Sequence, residues 1–222
     1  MSRWRSGVRI PSGSLFIPVV TSIVLTGGGS SRLGGNKALQ IVGGKSLLQR
    51  VIERVTLISD QILVIGSPHQ RGFPVDSGIE YREDLYPGKG PLGGIYTGLL
   101  ASKSVYNLVV ACDLPFLNVE LLRYLIRLSP GFDAVVPRVG KVQPLHAVYS
   151  KNCLDAVKVQ VEHNLLKISR FLDSVNVRYV EETECRSIDR QLLSFFNVNS
   201  RADLARVNRL AEDIGLKNGD KL

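Results

Sequence analysis

The chain is short of the residues that most often announce a protein's class. Its three cysteines, Cys112, Cys153 and Cys185, are odd in number and show no metal-type spacing. They argue against a disulfide scaffold and a zinc site and fit a reducing, cytoplasmic setting. Aromatics make up only 7% of the residues, and the net charge of +8 gathers into no basic stripe. Nucleic-acid binding wants clustered cations with interleaved aromatics, so no such partner is expected. A polyanionic small substrate accounts for a mild positive excess equally well. No apolar run is long enough to span a bilayer, since Ile17–Leu25 is short and contains Pro18 and Thr21. No membrane partner is expected.

Two well-known nucleotide loops are also missing. The Walker spacing fails at Gly44-Lys45-Ser46, because the required upstream glycine is Leu39. The dinucleotide fingerprint fails because Gly27 and Gly29 are followed by Arg32 where the third glycine belongs.

Residues 1–18 stand apart. They carry Arg3, Arg5 and Arg9, no acid and no helical or strand period. They lack the apolar core of a secretory signal. They are expected to be a disordered or non-native extension, with a single folded domain over 19–222. Val8-Arg9-Ile10-Pro11 can be spelled GTT-CGA-ATC-CCN, which matches the T-arm of many tRNA genes. The non-native reading falls if no tRNA gene overlaps the start of the coding DNA.

The remainder alternates strand-like and helix-like runs. Strands are expected at 19–25, 61–66, 107–112, 132–137, 143–149 and 175–180. Helices are expected at 45–59, 92–102, 119–128, 151–163, 165–172 and 200–215, the last with Ser200 and Asp203 as a capping pair. This alternation predicts an α/β fold of three layers, a mostly parallel sheet with helices on both faces. Such sheets bind ligands beyond the carboxyl ends of their strands.

The most informative stretch is Leu25-Thr-Gly-Gly-Gly-Ser-Ser-Arg-Leu-Gly-Gly-Asn-Lys37. It follows an apolar strand and carries two cations among five glycines. Glycines let backbone N–H groups approach anionic oxygens closely, which suits a phosphate-binding loop. Ala111-Cys112-Asp113-Leu114-Pro115 puts one carboxylate at the end of a buried strand. That is enough for magnesium, which completes its shell with phosphate oxygens and water. Asp84 opens a second Gly/Pro loop running through Gly90-Pro91-Leu92 into a helix, and such a loop offers backbone groups to an anion or a base edge. Asn197 and Asn199 precede the last helix, where an amide can cap the helix or reach a metal shell or a phosphate. His146, alone in an apolar strand, reads as structural. Arg138 and Lys141 are candidates for an acceptor phosphate.

Together these segments resemble the molybdenum cofactor guanylyltransferases, over roughly residues 19–210 and with at least four motifs in order. The first stretch is similar to L-A-G-G-x-S-x-R-M-G-x-D-K, the third to D…GPLAG…GL, and residues 111–115 to C-D-x-P. Asn197–Leu204 is similar to N-x-N-T-P-E-[DE]-L, and Gln143–Tyr149 to Q-P-L-x-A-x-Y. Two positions depart: the family aspartate is Asn36, and the family methionine is Leu33, a mild apolar swap.

The resemblance implies a Rossmann-like nucleotidyltransferase that moves GMP from GTP to molybdopterin or its molybdenum-bound form. It implies Arg32 and Lys37 as catalytic residues. It implies nucleotide contacts from Leu25, Thr26, Gly27, Gly28, Lys37, Asp84, Gly90, Pro91, Leu92 and Asp113. Magnesium is expected on Asp113 and Asn199. Gly27-Gly28 leans toward guanine, because related cytidylyltransferases read L-A-A-G. A molybdopterin cytidylyltransferase, a transferase for another phosphorylated acceptor, and a non-catalytic nucleotide-binding protein stay open. So does transient contact with molybdoenzymes or delivery proteins.

Overall fold

The computed structural model describes residues 18–27, 36–67 and 78–213. Apart from Pro18, the N-terminal extension lies outside them. Within them the strands are β1 (Val20–Leu25), β2 (Ile41–Val42), β3 (Lys45–Ser46), β4 (Gln61–Gly66), β5 (Ile79–Glu83), β6 (Tyr106–Ala111), β7 (Ala134–Val139), β8 (Lys141–Val142), β9 (His146–Ser150) and β10 (Val177–Glu181). The helices are α1 (Leu47–Thr56), α2 (Gly90–Ala101), α3 (Val119–Arg127), α4 (Leu154–Glu162), α5 (Ile168–Leu172), α6 (Glu182–Ile188) and α7 (Arg201–Asp213). None is long and apolar enough to cross a membrane.

The main sheet runs β10-β7-β9-β6-β1-β4-β5, with β8 hairpinned onto β7. Strand β1 lies parallel between β4 and β6, and all six of its residues are buried. Its alternate residues serve two cores. Val20 and Val24 face α1 and α3, whereas Ile23 and Leu25 face α2. The three layers expected from the sequence are therefore present, with α1, α3 and α6 on one face and α2, α4 and α5 on the other. Strand β9 is antiparallel to both β6 and β7, so the sheet is mixed at that point.

Local chemistry explains the element ends. Ser46 and Gln49 form a reciprocal capping box at the start of α1. Asn118 accepts from Glu120 and Leu121 at the start of α3. The Ser200–Asp203 pair expected for α7 forms in both directions. A third, smaller core seats α7 on the β2–β3 hairpin through Val42, Leu47, Val198, Val207 and Ala211.

The sequence reading missed β5, β8, α6 and the β2–β3 hairpin. Strand β5 is an edge strand of half-buried Ile-Glu-Tyr-Arg-Glu with little apolar signal. Helix α6 buries only Cys185, so it has no apolar stripe to recognise. The hairpin strands have two residues each. The stretch ending at Lys37 consequently does not lead straight into α1, because a 3₁₀ turn (Lys37–Leu39) and the hairpin intervene.

Helix α2 carries little amphipathic signal because glycine replaces bulk on its sheet-facing side. A Cβ on Gly94 would stand 2.9 Å from Leu25 Cδ2, and one on Gly98 would stand 2.4 Å from Ile23 Cγ2. Ile23 is fully buried and β-branched, so it has little room to retreat. Gly98→Ala is expected to lift α2 from β1 and cost about 1–3 kcal/mol, read as a lower urea midpoint. An unchanged midpoint would show that the helix can shift freely.

His146 at the start of β9 is buried, with Nδ1 3.2 Å from the Ser194 carbonyl and its ring stacked on Phe195 at 4.6 Å. Burial pushes its pKa down to about 4, against partial opposition from the Ser194 carbonyl and the Asp189 charge. The unfolded chain, with histidine near 6.5, therefore binds more protons between these values. Stability is full above about pH 6.5 and is lost as pH falls toward 4. Urea titrations at pH 7 and pH 5 are expected to show a larger loss for the wild type than for His146→Gln; equal losses would exclude His146 as the source.

Candidate active site

The chain leaves β1 toward β4 and β5 on one side and returns as β6 on the other, so the strand order reverses around β1. In sheets of this kind the crevice outside the carboxyl ends at such a reversal takes the ligand. Backbone pairing continues just past the strands there. Thr26 N–H donates to the Ile65 carbonyl at 2.9 Å, and Cys112 N–H donates to the Leu25 carbonyl at 3.0 Å. The segments that follow β1, β4 and β6 are thus held side by side, with outer strands about 10 Å apart.

On the β6 side lies a cluster of three polar groups. Lys37 Nζ donates to Asp113 Oδ2 at 2.5 Å and to Asn199 Oδ1 at 2.7 Å. The Lys37 and Asp113 side chains are only 16% and 14% exposed, so solvent screens the pair weakly. Asp113 Oδ1 is buried and has no hydrogen-bond partner among the described residues. Each group is placed by its own local structure. Asn36 Oδ1 accepts the Ala38 N–H at 3.2 Å and caps the 3₁₀ turn that presents Lys37. An aspartate there would cap in the same way, so Asn36 keeps the turn without adding a charge. The Asp113 carbonyl accepts from Val198 N–H, which draws the segment before α7 against the end of β6.

Asp203 fixes Asn199. Its Oδ2 accepts from the Asn199 and Ser200 N–H groups at 3.0 and 2.9 Å and from the Ser200 hydroxyl at 2.9 Å. The Ser200 hydroxyl and then the Asn199 N–H hold its carboxyl below the ordinary value, with Lys37 a smaller contributor. The sequence showed Asp203 only as a helix cap; its hold on Asn199 follows from the same bonds. Cys112, beside Asp113, is buried and its thiol is pushed up to about 12, first by burial and then by the Asp113 charge. It stays protonated at neutral pH and offers no thiolate.

On the β4 side a cleft of about 300 Å³ opens between Leu25 and Gly27, residues 65–67, and the loop from Asp84 to Gly94. That volume lies at the lower end for small-molecule sites. The loop is built on Asp84. Its N–H donates to Gly66, and its Oδ1 accepts from Tyr86 N–H at 3.0 Å. The Thr97 hydroxyl stands 3.1 Å from Asp84 Oδ1 and accepts the Leu85 N–H. Gly90, at φ +63°, turns the chain into α2, and Pro91 opens the helix.

The structure brings Leu25, Gly27, Asp84, Gly90 and Pro91 to this cleft, and Lys37, Asp113 and Asn199 to the cluster beside it. Leu92 has its side chain fully buried in the core under α2, so only its backbone, in the first turn of that helix, is left to meet a ligand. Thr26 is nearly buried, with its hydroxyl donating to the Ile65 carbonyl. Gly28 and Arg32 lie outside the described residues. Arg138 pairs with Glu181 at 2.9 Å and lies over the Tyr179 ring, so it already has a counter-ion. The β4 end, Ile65-Gly66-Ser67, was not foreseen as a cleft wall, because nothing in an apolar strand signals which residues end at a ligand.

Known proteins resemble the chain over most of its length. Residues 22–177 match the MobA-like NTP transferase domain. A "probable molybdenum cofactor guanylyltransferase" of Pelotomaculum thermopropionicum is 37% identical, covering 87% of this chain and 94% of its own. A "molybdenum cofactor guanylyltransferase" of Desulfosudis oleivorans is 31% identical, covering 84% and 93%. The crystal structure of molybdopterin-guanine dinucleotide biosynthesis protein A from Archaeoglobus fulgidus superposes with a TM-score of 0.77 at 28% identity, covering 88% of this chain and 100% of that one. A match across both the cleft and Asp113, with a superposable fold, leads to one conclusion: the chain belongs to the MobA-like NTP transferase family.

Proposed function

We propose that this protein transfers GMP from GTP to the terminal phosphate of molybdopterin, or of its molybdenum-bound form, and releases pyrophosphate. The reading rests on one arrangement: a lysine, a carboxylate and an amide meet beside a base-sized cleft at the reversal of the sheet. Relatives of this chain over most of its length bear the corresponding name.

Guanine would enter the cleft between the β4 end and the Asp84 loop. A carboxylate there can accept from guanine N1–H and N2–H₂, which cytosine does not reproduce. The triphosphate would then run past Gly27 toward Lys37, with Arg32 as the further cation. An oxygen of the acceptor phosphate bonds to the α-phosphorus as the bond to the α–β bridging oxygen breaks, and its electron pair leaves on pyrophosphate. The nucleophile is already an anion, so no general base is required. Lys37 would hold phosphate oxygens and offset the charge on the leaving group, and catalysis is mainly positioning and electrostatics.

The donor set fits magnesium. Asp113 and Asn199 supply hard oxygens, Oδ2 and Oδ1, that converge on one point. Bound there, the ion would neutralise phosphate charge. The reading extends to a cytoplasmic location, since Cys112, Cys153 and Cys185 are all free and buried.

Pyrophosphate release by the purified chain with Mg²⁺ is the test. Release is expected with GTP, not CTP, and only with molybdopterin present. Release with CTP would move the protein to the cytidine branch, and none with either would remove the assignment. Lys37→Ala and Asp113→Ala are each expected to lower kcat roughly 10²–10³-fold while the cooperative melt survives. Normal turnover in either variant would exclude that residue from the chemistry.

A further inference from the structure

The Lys37 ammonium stands between Asp113 and Asn199, the two residues proposed above to hold a divalent cation. Both of its acceptors are oxygens, and both lie within 2.7 Å of Nζ. A magnesium ion needs oxygens at about 2.0–2.1 Å and several waters around it. An ion within that reach of Asp113 Oδ2 and Asn199 Oδ1 would sit against Nζ, cation to cation. Asp113 Oδ1 is buried, so a hydrated ion arriving from solvent meets Oδ2 first, the oxygen that Lys37 holds. Lys37 in this position and a divalent cation therefore compete for the same two oxygens.

We infer that Lys37 is a resident cation that locks the metal site of the nucleotide-free protein. The inference rests on the proposed function for the identity of the site. A free divalent cation must displace a poorly screened ammonium from a mostly buried carboxylate, and the ammonium then exchanges its ion pair for water alone. A nucleotide changes the balance, because its phosphate oxygens give the ammonium a second anion to bind. Lys37 then swings to the phosphates, and Asp113 and Asn199 turn to the cation that arrives with them. Asn199 cannot follow Lys37 freely, since Asp203 holds its backbone N–H. The site thus takes metal and nucleotide together and rejects metal alone. One lysine serves twice, as counter-ion to Asp113 at rest and as phosphate ligand when loaded.

The test uses Mn²⁺ as the metal probe, since oxygen donors suit it as they suit magnesium. Electron paramagnetic resonance reads free against bound Mn²⁺ without any turnover. Wild type is expected to bind Mn²⁺ weakly alone and firmly with GTP, with the latter lost in Asp113→Ala. Lys37→Met is expected to bind Mn²⁺ without nucleotide at least about tenfold more tightly than wild type, because its buried carboxylate has lost its counter-ion. Asp113→Ala placed on Lys37→Met is expected to abolish that gain. Should Lys37→Met fail to melt cooperatively, Lys37→Gln removes the charge while keeping an amide donor for Asp113. Equal nucleotide-free affinity in wild type and the lysine variant would overturn the lock. If wild type still binds Mn²⁺ with GTP through Asp113 in that case, the proposed function stands. If no protein binds Mn²⁺ through Asp113 even with GTP, the lock and the metal assignment fall together.

Discussion

Strand β1 is the constraint on which the rest of the molecule depends. It is buried along its whole length and pairs in parallel on both edges, so its carboxyl end cannot move without breaking two ladders. Leu25 is in register with Ile65 on one side and Ala111 on the other. Whatever follows these three residues is therefore delivered to one edge of the sheet. Helix α2 reinforces this from one face, seated on Ile23 and Leu25 through Gly98 and Gly94. The first turn of the same helix borders the cleft, so the close packing that fixes α2 also fixes one wall of the site.

The site is divided by that geometry. The cleft lies toward β4 and β5, and the charged cluster lies toward β6. A nucleotide, which joins a flat apolar-edged base to a string of anionic oxygens, has the same division. The cluster is also the meeting point of three distant parts of the chain. Lys37 lies 76 residues from Asp113 and 162 from Asn199. Burial strengthens the Lys37–Asp113 pair by excluding water, and makes the loss of either partner costly for the same reason. A carboxylate so placed favours a cation beside it, and here Lys37 supplies that cation.

Much of the layout was legible because it rests on period and composition. The apolar runs at β1, β4 and β6 gave strands within a residue of their true bounds, since buried parallel strands read as unbroken Val/Ile/Leu. The Ser200–Asp203 cap was visible because both partners lie within one turn. The edge strand β5 and helix α6 were not, since each buries too little apolar surface to leave a pattern. The antiparallel course of β9 was hidden too, because a strand's sequence does not record the direction of its neighbours. At the site, Asp113 could be marked from its place at a strand end, while the cleft wall at residues 65–67 carries no polar signature.

The sequence by itself determined the class of fold, the succession of elements, and the residue types able to meet phosphate and metal. Those are local matters of hydrophobic period, turn chemistry and spacing along the chain. Only the tertiary structure decided that Lys37, Asp113 and Asn199 touch, that Leu92 turns into the core, and that Arg138 is already paired. These depend on which strands become neighbours and how closely α2 can approach β1. No run of adjacent residues encodes such distances, because they follow from the packing of the whole core at once.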